Sequence, residues 1–265
     1  MRARQHPSTA KGAIDRMARL PRLALAGHAH LVSLYGHSAQ PVFVDDDDRR
    51  QFLAALREAA LQQQVAVHAY VLLAGHVHLL LTPQLAASLG ALMQGLGRRY
   101  GAAFNRRHQR QGTLWAGRFC ATVVQPGAAT LEAMLFIDHH PLRSGAVAAA
   151  QDAVWSSTRH HLGLQRDPLI TDAAAWWALG NTPFEREATY RRLLDEGMPQ
   201  PRAQALAQAA RKGWAVGDAT FLAGLAQYTQ RPVQARPRGR PPGPGAGQQH
   251  AGSLIKPLKA PKPGL

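Results

Sequence analysis

The strongest constraint on how this chain folds is an apolar stretch over residues 65–82, interrupted at Ala74-Gly75. Its two halves, residues 65–73 and 76–82, each read as a strand, and the short link between them suits a hairpin turn. The second half begins His76-Val77-His78. Side chains alternate faces along a strand, so residues i and i+2 project together. Two imidazoles therefore stand side by side on a strand that otherwise avoids water, an arrangement that suits a divalent metal held between two His ligands. The pattern is short, and a structural reading stands beside it, with both rings buried and hydrogen-bonded. His28-Ala29-His30 repeats the spacing in a chain with 13 His, which shows how readily it arises.

The surrounding segments supply a frame for that hairpin. Residues 23–35 read as a first strand. Asp45, Asp46, Asp47 and Asp48 precede Phe52, Leu53, Leu56 and Leu61, a helical spacing with acids at the helix start, where they complement the macrodipole. The Asp run reads as a solvated helix terminus rather than a metal cluster. A second helix is expected over about residues 86–107, with Leu89, Met93, Leu96, Tyr100 and Phe104 as its apolar stripe. A fourth strand follows over residues 113–124, carrying Trp115 and Phe119. A third helix over about residues 128–139 stops before Pro141. The order strand, helix, strand, strand, helix, strand, helix predicts an α+β, ferredoxin-like fold: an antiparallel sheet with helices packed on one face. It places the His pair on a central strand and leaves the third helix free to lie across the sheet and meet it.

Charge narrows the function. Lys and Arg outnumber Asp and Glu 31 to 16, a formal net charge of +15. Such a surface attracts polyanions, of which nucleic acid is the commonest. A membrane partner is disfavoured, because no apolar stretch reaches transmembrane length and no basic amphipathic helix carries a lipid-facing stripe. The basic N-terminus lacks the apolar core of a secretion signal. The lone Cys120 excludes an intramolecular disulfide and a thiolate zinc cluster. A cytoplasmic location is expected. Arg98, Arg99, Arg106, Arg107 and Arg110 cluster at the end of the second helix, with Arg118 beyond them, and read as phosphate contacts rather than a solvated basic face.

Four segments are expected: a basic arm over residues 1–22, a main domain over 23–163, a helical extension over 164–230 and a disordered basic tail over 231–265. In the extension, residues 203–212 and 218–228 flank Gly213-Trp214-Ala215-Val216-Gly217. A helix-turn-helix is one reading of this stretch and a generic helical extension the simpler one. The tail holds eight of the 18 Pro, seven Lys or Arg and no acid. Within it, Arg238-Gly239-Arg240-Pro241 resembles an AT-hook, whose two Arg lie along a narrow A·T minor groove. A generic basic tail predicts DNA affinity equally.

A series of landmarks over residues 19–163 resembles one known family. Ala18-Arg19-Leu20-Pro21-Arg22 precedes a strand carrying His30, and Pro41-Val42-Phe43-Val44-Asp45 leads into the first helix. His68-Ala69-Tyr70-Val71-Leu72 runs into Gly75-His76-Val77-His78-Leu79-Leu80-Leu81. Arg99-Tyr100-Gly101-Ala102-Ala103-Phe104-Asn105-Arg106-Arg107-His108 and Gly112-Thr113-Leu114-Trp115-Ala116-Gly117-Arg118-Phe119 follow. His139-His140-Pro141-Leu142-Arg143-Ser144-Gly145 and Trp155-Ser156-Ser157 close the domain. Together these resemble the single-tyrosine HUH transposases (His, hydrophobic residue, His), most closely the REP-associated tyrosine transposases of bacteria.

The resemblance implies action on single-stranded or hairpin DNA. It implies Mg²⁺ or Mn²⁺ held by the His pair and one further polar residue, and a Tyr on the last helix that attacks the scissile phosphate to form a 5′-phosphotyrosine link. The third ligand follows that Tyr by four residues, so one helical turn puts both on the same face. In this chain the nucleophile position is Phe136 and the ligand position His140. The implied ligands are therefore His76, His78 and His140, while Phe136 has no oxygen to attack with. Tyr100 is the substitute nucleophile to consider, against a core-packing role on its helix stripe.

Two functions follow from the resemblance. One is a transposase that cuts and rejoins DNA. The other is an inactive, domesticated or decaying transposase that binds DNA without cutting, which leaves enzymatic activity open. A homodimer is open on either reading. RNA binding on the same scaffold ordinarily needs exposed aromatics on the sheet, and aromatics are 6% of this chain.

Overall fold

The computed structural model describes residues 22–229 and 231–234. Most of the basic N-terminal arm and the AT-hook-like segment with Arg238 and Arg240 lie outside the described residues. The elements run β1 (Ala29–Tyr35), α1 (Asp46–Gln63), β2 (Val65–Leu73), β3 (His76–Pro83), α2 (Ala86–Arg107), β4 (Cys120–Val124), α3 (Ala128–Asp138) and α4 (His140–Arg143). Then come α5 (Thr158–His161), α6 (Ala174–Trp177), α7 (Pro183–Glu196), α8 (Gln200–Lys212) and α9 (Ala219–Tyr228). The four strands form one antiparallel sheet in the order β2-β3-β1-β4. This is the ferredoxin-like arrangement, and it puts β3 and β1 at the centre.

The alternation of β3 sorts two cores. Val77, Leu79 and Leu81 join Val32 and Leu34 of β1 under α1 and α2, with Phe52, Leu56, Leu92, Met93, Tyr100 and Phe104. Leu80 faces the other way with Leu31, Ala69 and Val71, against Met134, Phe136 and Ile137 of α3, Tyr190 and Leu194 of α7, and Leu206 and Ala210 of α8. Both sheet faces are thus covered. The helix layer expected on one face is α1 with α2, while α3 and the later helices cover the second. The near-continuous apolar run of β3 is the signature of a strand buried on both sides.

Three local readings are corrected. The first strand, expected over residues 23–35, is formed only at Ala29–Tyr35. The strand expected over residues 113–124 is formed only at Cys120–Val124. Gly112 and Gly117, at φ 86° and 140°, leave extended geometry. The indole of Trp115 donates to the Gly97 carbonyl at 3.3 Å, and Ala116 N–H donates to Tyr35 at 2.8 Å. The Asp run is only partly solvated. Asp45 caps α1 by accepting from Asp48 N–H. The Asp48 side chain is 1% exposed and accepts from Val44 N–H at 2.8 Å and from Arg107 at 2.6 Å, with His108 Nε2 at 2.9 Å.

One buried carboxylate anchors the junction of α3 and α4. Asp138 is 0% exposed. It accepts from Ser157 Oγ at 2.6 Å and Tyr190 Oη at 2.7 Å, and lies 2.6 Å from Nδ1 of His161. These partners come from α5, the turn before it, and α7. Asp138→Ala leaves three buried groups without their partner, and removing a buried acceptor in this way costs about 3 kcal/mol. Tyr190→Phe deletes a single bond and costs about 1 kcal/mol. Urea unfolding of both variants should reproduce that order, and equal losses would show that the carboxylate is not the hub.

Candidate metal centre

Alternation along β3 turns His76 and His78 toward α3, and the register places His76 opposite Tyr35 and His78 opposite Ser33 on β1. On the other side, α3 ends at Asp138, with His139 as its C-cap, and the chain restarts as the one-turn α4 with Pro141 in its first turn. His140 is thereby delivered to the pair. Its Nε2 lies 2.8 Å from Nε2 of His76. Ring centroids are 5.2 Å apart for His76 and His78, 5.0 Å for His76 and His140, and 4.8 Å for His78 and His140. Among the described residues these three form a group whose ligand atoms all lie within 4.8 Å of one another.

Neighbouring groups orient the rings. Ser33 Oγ is 2.7 Å from Nδ1 of His78, which leaves Nε2 as its free ligand atom; such outer hydrogen bonds fix a metal-binding imidazole. Arg143 Nη2 stands 2.5 Å from Nδ1 of His140. A guanidinium only donates, so Nδ1 accepts. The guanidinium also lies 4.7 Å over the Phe136 ring, and its Nη1 is buried without a hydrogen-bond partner.

Burial keeps all three rings neutral. It lowers His76 below its ordinary value and His78 well below it, the latter helped by His140, His76 and Arg143. His140 falls to about 3, through burial first and then Arg143 and His76. A neutral imidazole is the form that ligates a metal.

Phe136 is 2% exposed, with its ring 5.4 Å from His78 and 5.9 Å from His140. Its placement one turn from His140 follows the spacing. Tyr100 belongs elsewhere. It is 1% exposed in the core under α1 and α2, on the opposite sheet face, and donates to the Val42 carbonyl at 2.5 Å. Packing on its helix stripe, not chemistry at the His cluster, accounts for it.

Tyr35 is the residue that sequence reasoning missed. Its ring stacks on His76 at 5.8 Å and meets His78 edge-on at 6.2 Å, and burial raises its phenol above the usual range. The alternation Ser33, Tyr35 at the end of the first strand held the signal, but only the pairing of β1 with β3 reveals it. His30 is the bland case: 0% exposed, accepting from Leu25 N–H at 3.1 Å and bonded to the His28 carbonyl at 2.8 Å.

The Arg cluster divides. Arg107 is paired with Asp45 and Asp48, and Arg99 with Glu58. Arg110 donates to Gln40 at 2.6 Å. Arg98, Arg106 and Arg118 are exposed. Arg98 and Arg118 line a groove of about 820 Å³ with Arg22, Asn105, Trp115 and Phe119. Arg22 lies 3.7 Å over the Phe119 ring.

Residues 26–135 match the family described as IS200-like transposases, a match that ends one residue before Phe136. Two solved structures are similar. One is a REP-associated tyrosine transposase bound to a REP hairpin, 14% identical, covering 60% of this chain and 93% of its own, with a TM-score of 0.45. The other is a crystal structure from Deinococcus radiodurans R1 of a protein assigned as a transposase, 26% identical, covering 45% of this chain and 87% of its own, with a TM-score of 0.30. No curated protein matches the chain.

The buried histidines make stability pH-dependent. His30 is lowered from 6.5 to about 4, chiefly by burial. Below pH 6.5 the unfolded chain therefore binds the proton that the folded chain refuses. Its contribution is complete above about pH 6.5 and is lost as pH falls toward 4, about 3 kcal/mol for this ring alone. Urea unfolding in EDTA from pH 7.5 to 4 should show the decline, and His30→Gln should flatten it; an unchanged slope would contradict the assignment.

Proposed function

We propose, from the match of residues 26–135 to the IS200-like transposase family, that this chain binds single-stranded or hairpin DNA at a metal centre made by His76, His78 and His140. The observation that carries the reading is the convergence of these imidazoles from β3 and α4, with their ligand atoms within 4.8 Å of one another. The formal charge of +15 and the exposed Arg98, Arg106 and Arg118 supply phosphate affinity. On this reading residues 23–163 hold the DNA chemistry, residues 164–230 brace α3 from behind, and residues 231–265, with Arg238 and Arg240, add basic contacts. The protein acts in the cytoplasm, alone or as a homodimer.

The residues fit a divalent ion. All three rings are neutral, Ser33 orients one of them, and the unpartnered Nη1 of Arg143 awaits an acceptor such as a phosphate oxygen. A bound ion polarises the scissile phosphate as a Lewis acid. The donors are all nitrogen, and imidazole suits transition metals better than Mg²⁺, so of Mg²⁺ and Mn²⁺ this site favours Mn²⁺. Ligation through Nε2 of His140 requires the proton to sit on Nδ1, so the Arg143–His140 hydrogen bond has to be given up.

A second reading rests on Phe136. The position that the family resemblance assigns to the nucleophile carries no hydroxyl, which favours a chain that binds DNA without cutting it from α3.

Three measurements test these statements. A fluorescent hairpin-bearing single strand should bind more tightly than a duplex of the same length, with affinity falling steeply as salt rises; equal affinity for both would sink the single-strand reading. His78→Ala should weaken Mn²⁺ binding by on the order of 100-fold in calorimetry, since an outer-shell loss alone costs 10–100-fold. Arg143→Met removes a like charge and the donor at His140, and should tighten Mn²⁺ binding about tenfold, equivalent to ~1.4 kcal/mol. Unchanged affinity would show that the arginine does not compete with the ion.

A further inference from the structure

We propose that the C-terminal end of α8 joins Arg22 and Arg118 in a phosphate-binding saddle at the edge of β4, along which the single-stranded flank of a hairpin runs between the groove beside α2 and the His76–His78–His140 centre. The proposal rests on the metal and DNA reading above. A second depression, of about 480 Å³, adjoins the groove and shares Arg22, Gly117, Arg118 and Phe119 with it. Five cationic side chains line it: Arg22, Arg118, Arg211, Lys212 and Arg231. Among the described residues, no Asp or Glu lines either the depression or the groove. Of the five cations only Arg118 falls within residues 26–135, so the match to the family says nothing of the other four.

The fold fixes these charges from several segments. β4 is an edge strand, and the segment after α8 lies along its open side. Val216 N–H donates to the Val123 carbonyl and Gln125 N–H to the Val216 carbonyl, both at 2.8 Å, and Thr122 Oγ1 donates to the Trp214 carbonyl. Gly213 ends α8 in the left-handed region at φ 69°, where a Cβ would stand 3.3 Å from the Ala121 carbonyl oxygen. The last turn of α8 is thereby pinned beside the start of β4, with Arg211 and Lys212 exposed. Arg22 is set from the other side: its Nε donates to the Phe119 carbonyl at 3.0 Å and its guanidinium lies 3.7 Å over the Phe119 ring. That geometry holds the guanidinium in place and leaves its Nη atoms to donate to a phosphate.

A simpler account is that basic residues in the last turn of a helix complement its dipole. It covers Arg211 and Lys212 but not the three arginines that converge on them from other segments. Like charges gathered without a carboxylate repel one another, and the Arg22 guanidinium is pushed below its ordinary value by burial first and then by Arg118. A polyanion relieves that repulsion and releases counterions as it binds. The depression also leads to the metal centre: the guanidinium of Arg211 lies 5.9 Å from the Tyr35 ring, which stacks on His76. In the other direction, Trp115 and Phe119 line the groove. Aromatic side chains take the faces of unstacked bases, which a duplex hides. A run of cations with aromatic rings at one end and a metal site at the other fits a single strand rather than a duplex.

The test uses the full chain, Mn²⁺ and two fluorescent DNAs: a hairpin with single-stranded flanks of randomised sequence, and the same hairpin cut flush. Arg211→Gln combined with Lys212→Gln should weaken binding of the flanked hairpin and leave the flush one unchanged. Its slope of log affinity against log salt should fall by about 1.4, about 0.7 for each lost phosphate contact. Arg118→Gln, from a different segment, should lower the same slope by about 0.7. Arg57→Gln combined with Arg166→Gln removes the same charge beside β2, the opposite edge of the sheet, and should change neither DNA. All these side chains are exposed, and urea unfolding checks that each variant keeps its fold. An unchanged slope in both the α8 variant and Arg118→Gln overturns the proposal while the metal and DNA reading stands. So does an equal loss on the flush hairpin, or an equal loss in the β2-side variant. A wild type that binds neither DNA shows that the underlying reading has failed, and the proposal with it.

Discussion

The carboxylate of Asp138 is the fixed point on which the site depends. It lies two residues after Phe136 and two before His140, fully buried, and is held by Ser157, His161 and Tyr190. Each of those partners lies in residues 157–190, so the later helices are not an appendage. They set where α3 ends and where α4 begins. The helix break at His139 and Pro141 then turns His140 onto the β3 pair. An imidazole delivered by a one-turn helix has little rigidity of its own, and the buried carboxylate supplies it.

Electrostatics at the centre carry an internal tension. Three neutral imidazoles are ready for a cation, yet Arg143 already touches one of them at 2.5 Å. A cation beside a cation site is unfavourable in isolation. On the proposed metal and DNA reading, a phosphate would resolve the conflict, because it would offer the guanidinium an acceptor and add negative charge next to the ion. Metal and polyanion are therefore expected to support each other's binding, the reciprocal coupling that linkage requires.

The basic character of the chain does not map simply onto contact residues. Arg107 closes the α1 cap by pairing with Asp45 and the buried Asp48, a structural use of charge that ties the ends of two helices. Arg98 and Arg118, by contrast, stand free over a groove with Trp115 and Phe119. The six core arginines looked alike in sequence. What separates them is which carboxylates the packing of α1 against α2 brings within reach.

The hairpin, the helix limits and the shared face of His76 and His78 were legible because they depend on neighbours a few residues apart: period two on a strand, capping at Asp45, the break at Pro141. The continuous apolar run of β3 even carried the information that both faces are covered. His140 as third partner was legible through a family spacing. Tyr35 beside His76, Tyr100 on the far side of the sheet, and Arg143 on His140 were not. The sequence by itself determined which elements form and that two imidazoles share a face, because local periodicity is a property of adjacent residues. Only the tertiary structure decided which tyrosine meets them and which arginines remain free, because strand register and helix docking join segments far apart in the chain, whose pairing no local pattern encodes.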